Sequence, residues 1–267
     1  MNKVEIYYFS GTGNSLHVAR ELQKRIPGTK LIPIVSLLDK EIIKINGETI
    51  GLVFPIHLTA IPMPVKNFIK KLDLTSAGYI FAIATRIGTP HSAFMDIEKI
   101  LNRKSKNLDS CFSLNMPGND PKFNYNAPTK KEIAKLESAV QSRLDFIQNV
   151  IIKKEKNKEK DTSIITPMPS ILVRFLSSIV VLTEGIQPKY YADSKCTGCG
   201  TCEKVCLSKK IKIINKRPVW RKDIRCYRCD ACLNYCPVQA VQIKNHTEKN
   251  GRYSHPYATA GDIAGQK

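Results

Sequence analysis

Cys196-Thr-Gly-Cys199-Gly-Thr-Cys202-Glu-Lys-Val-Cys206 and Cys226-Tyr-Arg-Cys229-Asp-Ala-Cys232-Leu-Asn-Tyr-Cys236-Pro237 are two copies of one spacing, Cys-x2-Cys-x2-Cys-x3-Cys, and together hold eight of the nine cysteines. This is the signature of two [4Fe–4S] clusters, in which three thiolates come from one run and the fourth from the other. The spacing assigns Cys196, Cys199, Cys202 and Cys236 to a first cluster, and Cys226, Cys229, Cys232 and Cys206 to a second. Because of the crossed fourth ligand, neither cluster assembles without folding the whole segment, so metal binding and folding are one event.

Zinc and disulfides are the plainer alternatives. Structural zinc usually pairs two short Cys-x-x-Cys knuckles, and a third cysteine two residues on has no place in a tetrahedral site. Disulfides need an oxidising compartment, and Met1-Asn-Lys-Val-Glu-Ile6 lacks the apolar region of a secretory signal. A shift of 30 residues also superposes Ile211 and Ile213 on Val241 and Ile243, so the segment reads as an internal duplication. It resembles a bacterial-type two-cluster ferredoxin, a small α+β domain. The departure is Leu207, where the second copy has Pro237; Leu207 is not a ligand, so the difference touches packing and potential.

The chain has 267 residues, enough for one medium and one small domain, and the ferredoxin-like part needs only about 60 of them. Its 42 Lys+Arg against 23 Asp+Glu give a formal charge of +19. Two dianionic clusters and one bound phosphate group would lower this to about +13. That excess favours acidic partners, anionic substrates or nucleic acid; redox partner proteins acidic on the docking face are expected, and no recognition motif supports nucleic acid. Lys153-Lys-Glu-Lys-Asn-Lys158 reads as a solvated helix end. No run reaches the 18 or more apolar residues of a membrane span. The best candidate, Ile171–Leu182, contains Arg174 and reads as a buried or interdomain helix with peripheral membrane contact as the lesser reading. The expected location is cytoplasmic.

Over the first 160 residues, short β-rich runs alternate with helical patterns, the mark of a parallel sheet with helices on both faces. Strands are expected at Val4–Phe9, Lys30–Val35, Ile50–Phe54, Tyr79–Thr85 and Cys111–Leu114. Helical spacing links Leu16, Ala19, Leu22 and Ile26; Val65, Phe68, Ile69 and Leu72; and Phe94, Ile97 and Leu101. A longer stripe runs through Ile133, Leu136, Val140, Leu144, Ile147 and Ile151. The fold class is α/β, a doubly wound five-stranded parallel sheet. Cys111, heading a buried strand, reads as a small core residue.

Where the first strand meets the first helix stands Ser10-Gly11-Thr12-Gly13-Asn14-Ser15. It reads as a phosphate loop without a lysine: glycines for close backbone approach, a helix N-terminus, and three hydroxyls. A P-loop would need Gly-Lys-Ser/Thr, and a dinucleotide fingerprint a glycine or alanine at Leu16. The hexapeptide is similar to the FMN phosphate loop of flavodoxins, and this resemblance implies hydroxyls from Ser10, Thr12 and Ser15 and backbone amides from Gly13 and Asn14. It also implies that two further loops at the carboxyl ends of the strands hold the ring. Here these are Pro55-Ile56-His57-Leu58 and Arg86-Ile87-Gly88-Thr89, neither of which offers a tryptophan or tyrosine. His57 is the one group there able to relay a proton, although a strand-end histidine is usually a polar cap, and Asn115-Met-Pro-Gly-Asn119 ends the fifth strand near the same edge.

The whole chain resembles the flavodoxin–ferredoxin fusion proteins of anaerobic bacteria. Expected boundaries are 1–160 for a flavodoxin-like FMN-binding domain, 161–186 for a connecting helical segment, 187–246 for the two-cluster domain and 247–267 for a C-terminal tail. That tail, which includes Arg252-Tyr-Ser-His-Pro256, is placed to tie the clusters back onto the first domain. The resemblance implies an electron-transfer protein carrying FMN and two [4Fe–4S] clusters. The alternative is an FMN-dependent small-molecule or quinone reductase fed by ferredoxin or NAD(P)H.

Overall fold

In the computed structural model, which describes residues 3–57, 59–88, 91–122, 126–159, 172, 175 and 188–267, the expected apolar runs become parallel strands. They are β1 (Val4–Tyr8), β2 (Lys30–Pro33), β4 (Thr49–Pro55), β6 (Tyr79–Arg86) and β7 (Ser110–Asn115), with β3 (Ile43–Lys44) and β5 (Leu72–Asp73) pairing separately. Between them run α1 (Asn14–Arg25), α2 (Met63–Lys71), α3 (Ala93–Asn102) and α4 (Lys130–Ile152). All eight residues of β6 are buried, as expected for a central strand covered on both faces. The principal order β2-β1-β4-β6-β7 is that of a flavodoxin-like doubly wound sheet.

One expectation is corrected. The sheet has six strands, because β8 (Asn157–Lys158) adds to its edge beside β7. Lys153–Lys158 is thus a helix end only at its start: Lys153 caps α4, the chain turns through Lys154 at φ 53°, and the Asn157 and Glu159 amides donate to the carbonyls of Asp109 and Cys111. Those carbonyls belong to the edge of the sheet and would otherwise lack partners. The connecting segment 161–186 and the helix expected at Ile171–Leu182 lie outside the described residues, save Leu172 and Phe175, which are exposed.

The cysteine-bearing half runs from β9 (Tyr190–Ala192) through α5 (Thr201–Lys204), β10 (Ile211–Ile214), β11 (Arg217–Trp220) and α6 (Ala231–Asn234) to β12 (Val241–Ile243), and the chain ends in α7 (Ala260–Ala264). β10 pairs with β11, and β12 with β9, both antiparallel. The duplication read from the sequence is visible in the backbone. Left-handed residues recur at the same shift: Gly198 and Arg228, Gly200 and Asp230, Lys209 and Gln239. α5 and α6 follow the same shift.

The two halves share a core. Val205, Leu207, Ala231, Ala258 and Ile263 belong to the same buried apolar cluster as Phe9, Leu16 and Val18. Leu207, which replaces the proline of the second copy, is 1 % exposed and so packs between the halves. A second, smaller cluster gathers Cys202, Cys206, Ile211, Cys232, Leu233, Val241 and Ile243.

Candidate metal centres and the loop beneath them

Two cavities in the cysteine-bearing half sort the eight cysteines into crossed sets. Cys196, Cys199, Cys202 and Cys236 line one. Cys206, Cys226, Cys229 and Cys232 line the other. None of the chain's cysteines is in a disulfide. Left-handed turns at Gly198 and Gly200, and at Arg228 and Asp230, curl each Cys-x2-Cys-x2-Cys run around its cavity, and the short helices α5 and α6 bring the third cysteine inward. Non-glycine residues in this conformation carry a cost of roughly 1 kcal/mol or more, so surrounding contacts must hold Arg228 and Asp230 there.

The environments of the two cavities differ. At the first, Cys199 is exposed, and the Thr201 hydroxyl beside it, ahead of other contacts, pulls its thiol below the ordinary value. Burial pushes Cys202 of the first set up to about 11, and at the second it pushes Cys226 up to about 11 and raises Cys229 and Cys232 as well. Protein amides already point at sulfur in both sets: Ala240 N–H at Cys236 Sγ, 3.2 Å, and Arg228 N–H at Cys226 Sγ, 3.3 Å. Tyr190 and Trp220, stacked with centroids 6.0 Å apart, line the second cavity. Trp220 Nε1 is closed from water with no acceptor among the described residues. A buried indole donor beside four thiols fits a group that carries acceptor atoms of its own, as a sulfide-bearing cluster does.

The Ser10–Ser15 loop is placed where the sequence puts it, between β1 and α1, but it is not open. Ser10, Thr12 and Ser15 are at most 1 % exposed. The Ser10 hydroxyl accepts from Gly13 N–H at 3.1 Å, Thr12 Oγ1 accepts from the Asn119 amide, and the Ser15 hydroxyl pairs with that of Thr85 at 2.8 Å. Asn14 donates to the Pro117 carbonyl and accepts from Tyr253. The His255 amide and the Tyr235 hydroxyl both donate to the Thr12 carbonyl, at 2.8 and 3.3 Å. The Gln266 side chain makes two bonds to the Ser10 backbone, at 3.0 and 2.8 Å. A Cβ built on Gly11 would lie 2.0 Å from the Cys229 carbonyl oxygen, and one on Gly13 would lie 2.5 Å from Ala258 Cβ. The glycines serve close approach, as read, but the approach is to this chain's own backbone. With that space taken, the loop does not fit an FMN phosphate.

The expected ring loops meet the same half. Pro55 and Arg86 end β4 and β6, and Gly88 turns at φ 94°. Ile56 N–H donates to the Thr85 carbonyl, and His57 bridges to Ala60. Leu58 and Thr89 lie outside the described residues. Burial, ahead of the positive Lys122 and Arg228, pushes His57 down to about 3 and keeps it neutral. Phe9 stands between His57 and Tyr227, with centroids at 5.9 and 6.4 Å, so the loop of the second cysteine set covers the carboxyl edge of the sheet. Asn115–Asn119 reaches this place too, by covering Asn14 and Thr12. Cys111 is a core residue, and burial pushes its thiol up to about 11.

Three further groups had no signal in the sequence. Lys122 reaches Asp230 at 2.5 Å and Asp120 at 3.0 Å. Arg20 pairs with Asp262 on α7. His17, Glu137 and His255 meet, the two rings buried and stacked at 4.2 Å and the carboxylate partly exposed. Each joins residues more than a hundred positions apart, and no spacing rule reaches that far.

Comparison with known proteins places residues 195–241 in a 4Fe-4S dicluster domain. No curated protein matches the chain in sequence. Among solved structures, it is similar to the rubredoxin oxygen:oxidoreductase of Desulfovibrio gigas, at 14 % identity and TM-score 0.35, over 58 % of this chain and 37 % of that one. It is also similar to the apo form of an NADH:FMN oxidoreductase, EMOB, at 12 % identity and TM-score 0.35, over 57 % of this chain and 90 % of that one. This chain thus spans little more than a third of the first of these proteins. The class defined by fold and site is a flavodoxin-like α/β domain joined to an iron–sulfur dicluster domain.

Proposed function

We propose that this chain is an electron-transfer protein that holds one [4Fe–4S] cluster on Cys196, Cys199, Cys202 and Cys236 and another on Cys206, Cys226, Cys229 and Cys232. The observation that carries the reading is the crossed sorting of these residues into two cavities. When bound, such clusters supply one-electron chemistry at generally low potential. The protein's part is to fix thiolates, donate N–H groups to sulfur and set access. Cys199 of the first set lies at the surface, while the Cys229 backbone of the second rests on Gly11.

The partner surface is basic. Lys195, Lys204, Lys216 and Arg217 are exposed around the first site, and the Lys216 backbone lies against Gly198. An acidic redox protein would be steered to this surface at low ionic strength. The cytoplasm, which keeps thiols reduced, is the setting we assign. Among the described residues no helix is long and apolar enough to cross a membrane.

FMN, expected from the Ser10–Ser15 resemblance, and a flavin-dependent reductase with it, do not enter this reading, because that loop is filled by protein. Potentiometric titration followed by electron paramagnetic resonance tests the function. Uptake of about two electrons per chain at low potential is expected from two clusters. A reconstituted protein that accepts no electron would overturn it.

A further inference from the structure

We propose that the Ser10–Ser15 loop is the seat of the chain's own cluster-binding and C-terminal segments, so that the flavodoxin-like domain scaffolds the second iron–sulfur site instead of holding a flavin phosphate.

A phosphate loop at a helix N-terminus needs room above its glycines, hydroxyls free to donate, and amides aimed at the anion. Here the room above Gly11 is taken by the Cys229 carbonyl, and the room above Gly13 by Ala258 and His255. The Ser10 and Thr12 hydroxyl oxygens accept from Gly13 and Asn119, and the Ser15 hydroxyl pairs with that of Thr85, so protein groups surround all three.

The occupant is extensive. Tyr253 reaches Asn14, His255 stacks on His17, the Tyr257 carbonyl accepts from Arg20, Asp262 pairs with Arg20, and Gln266 returns to Ser10. The tail therefore follows α1 from its first residue and returns to the loop, while Ala258 and Ile263 enter the shared core. A phosphate and this segment cannot hold the loop together.

The same contact reaches the second metal site. Cys229 is a ligand in the proposed function, and its carbonyl rests on Gly11. Tyr227, two residues earlier, meets Phe9 at the end of β1. In an open α/β sheet this carboxyl edge, where strand order reverses, is the place for a ligand. Here the second cysteine loop stands there. The domain that resembles a flavin carrier holds one wall of a cluster site.

The test uses the full-length reconstituted protein and Gly11→Ala. Gly11 does not need the left-handed conformation, so the added methyl acts mainly through the Cys229 carbonyl. Iron per chain should fall about twofold, with the resonance signal of the first site retained as a sign of folding. FMN titrated into the wild-type protein should keep its fluorescence unquenched, and denatured wild-type protein should release no flavin. Stoichiometric FMN on the wild-type protein would overturn the proposal, as would a Gly11→Ala variant that keeps both clusters. The inference rests on the cluster reading, but the two fail separately: a chain without iron defeats the function, whereas an FMN-loaded chain with both clusters defeats only this assignment.

Discussion

Lys122 Nζ lies 2.5 Å from Asp230 Oδ2, and the side chains are only 14 % and 8 % exposed. Burial alone would lower the Lys122 ammonium, but Asp230 and Asp120 outweigh it and raise its value; burial in turn raises the Asp230 carboxyl, with Lys122 opposing it. Asp230 sits at φ 54° between Cys229 and Cys232, and the pair holds it in that turn. Removing one partner of a buried ion pair costs about 3–5 kcal/mol. Lys122→Met should therefore lower the unfolding midpoint markedly, and Lys122→Met with Asp230→Asn should recover much of the loss. Equal midpoints for the single variant and the wild type, by calorimetry under anaerobic conditions, would show that the pair is not a structural tie.

The crossed ligand sets predict crossed damage. Cys206→Ala should impair the site built mainly by Cys226, Cys229 and Cys232, and Cys236→Ala the site built by Cys196, Cys199 and Cys202. Resonance spectra of the two reduced variants should each lack a different signal. Loss of the same signal in both would refute the crossing.

Trp220 Nε1 is a buried donor in the wall of the second cavity. Hydrogen bonds to cluster sulfur raise its potential by favouring the more negative, reduced form. Trp220→Phe keeps the stack on Tyr190 and removes the donor, so the second site should become harder to reduce by ~20–100 mV, since such a bond contributes about 1.5–3 kcal/mol and only its difference between oxidation states counts. The first site should hold its potential. Equal shifts at both sites would point to a general change of packing.

Docking of the tail should depend on pH through His255. Burial, with the neighbouring His17 adding to it and Glu137 opposing it, pushes His255 down to about 4 from its ordinary 6.5. Between these values the undocked tail binds more protons than the docked one, so docking strengthens as pH rises from about 4 to about 6.5 and is fully present above. Amide exchange of peptides from 253–267, corrected for intrinsic rate, should be faster at about pH 5.5 than at about pH 7.5. His255→Gln should flatten that dependence. A wild-type profile already flat over this window would remove His255 as its cause.

The fold was legible because its signals are local. Strand β6 is a continuous apolar run, α4 carries a stripe from Val140 to Ile151, and the cysteine spacing names its own partners. The sixth strand was not, since Asn157 and Lys158 carry no β signal and pair through backbone groups and the Ser110 hydroxyl. Ser10–Ser15 was legible as a glycine-permitted strand-to-helix turn, but the contacts that Cys229, His255 and Ala258 make on it were not. Glycine records that something comes close and not what does. The tail offered a single hint, in its place after the second cysteine run, while the pairs Tyr253–Asn14 and Gln266–Ser10 join the two ends of the chain.

Iron and acid-labile sulfide counted per chain after anaerobic reconstitution test the central claim most directly. Two [4Fe–4S] clusters predict about eight of each. Stoichiometric zinc with no sulfide would contradict the account.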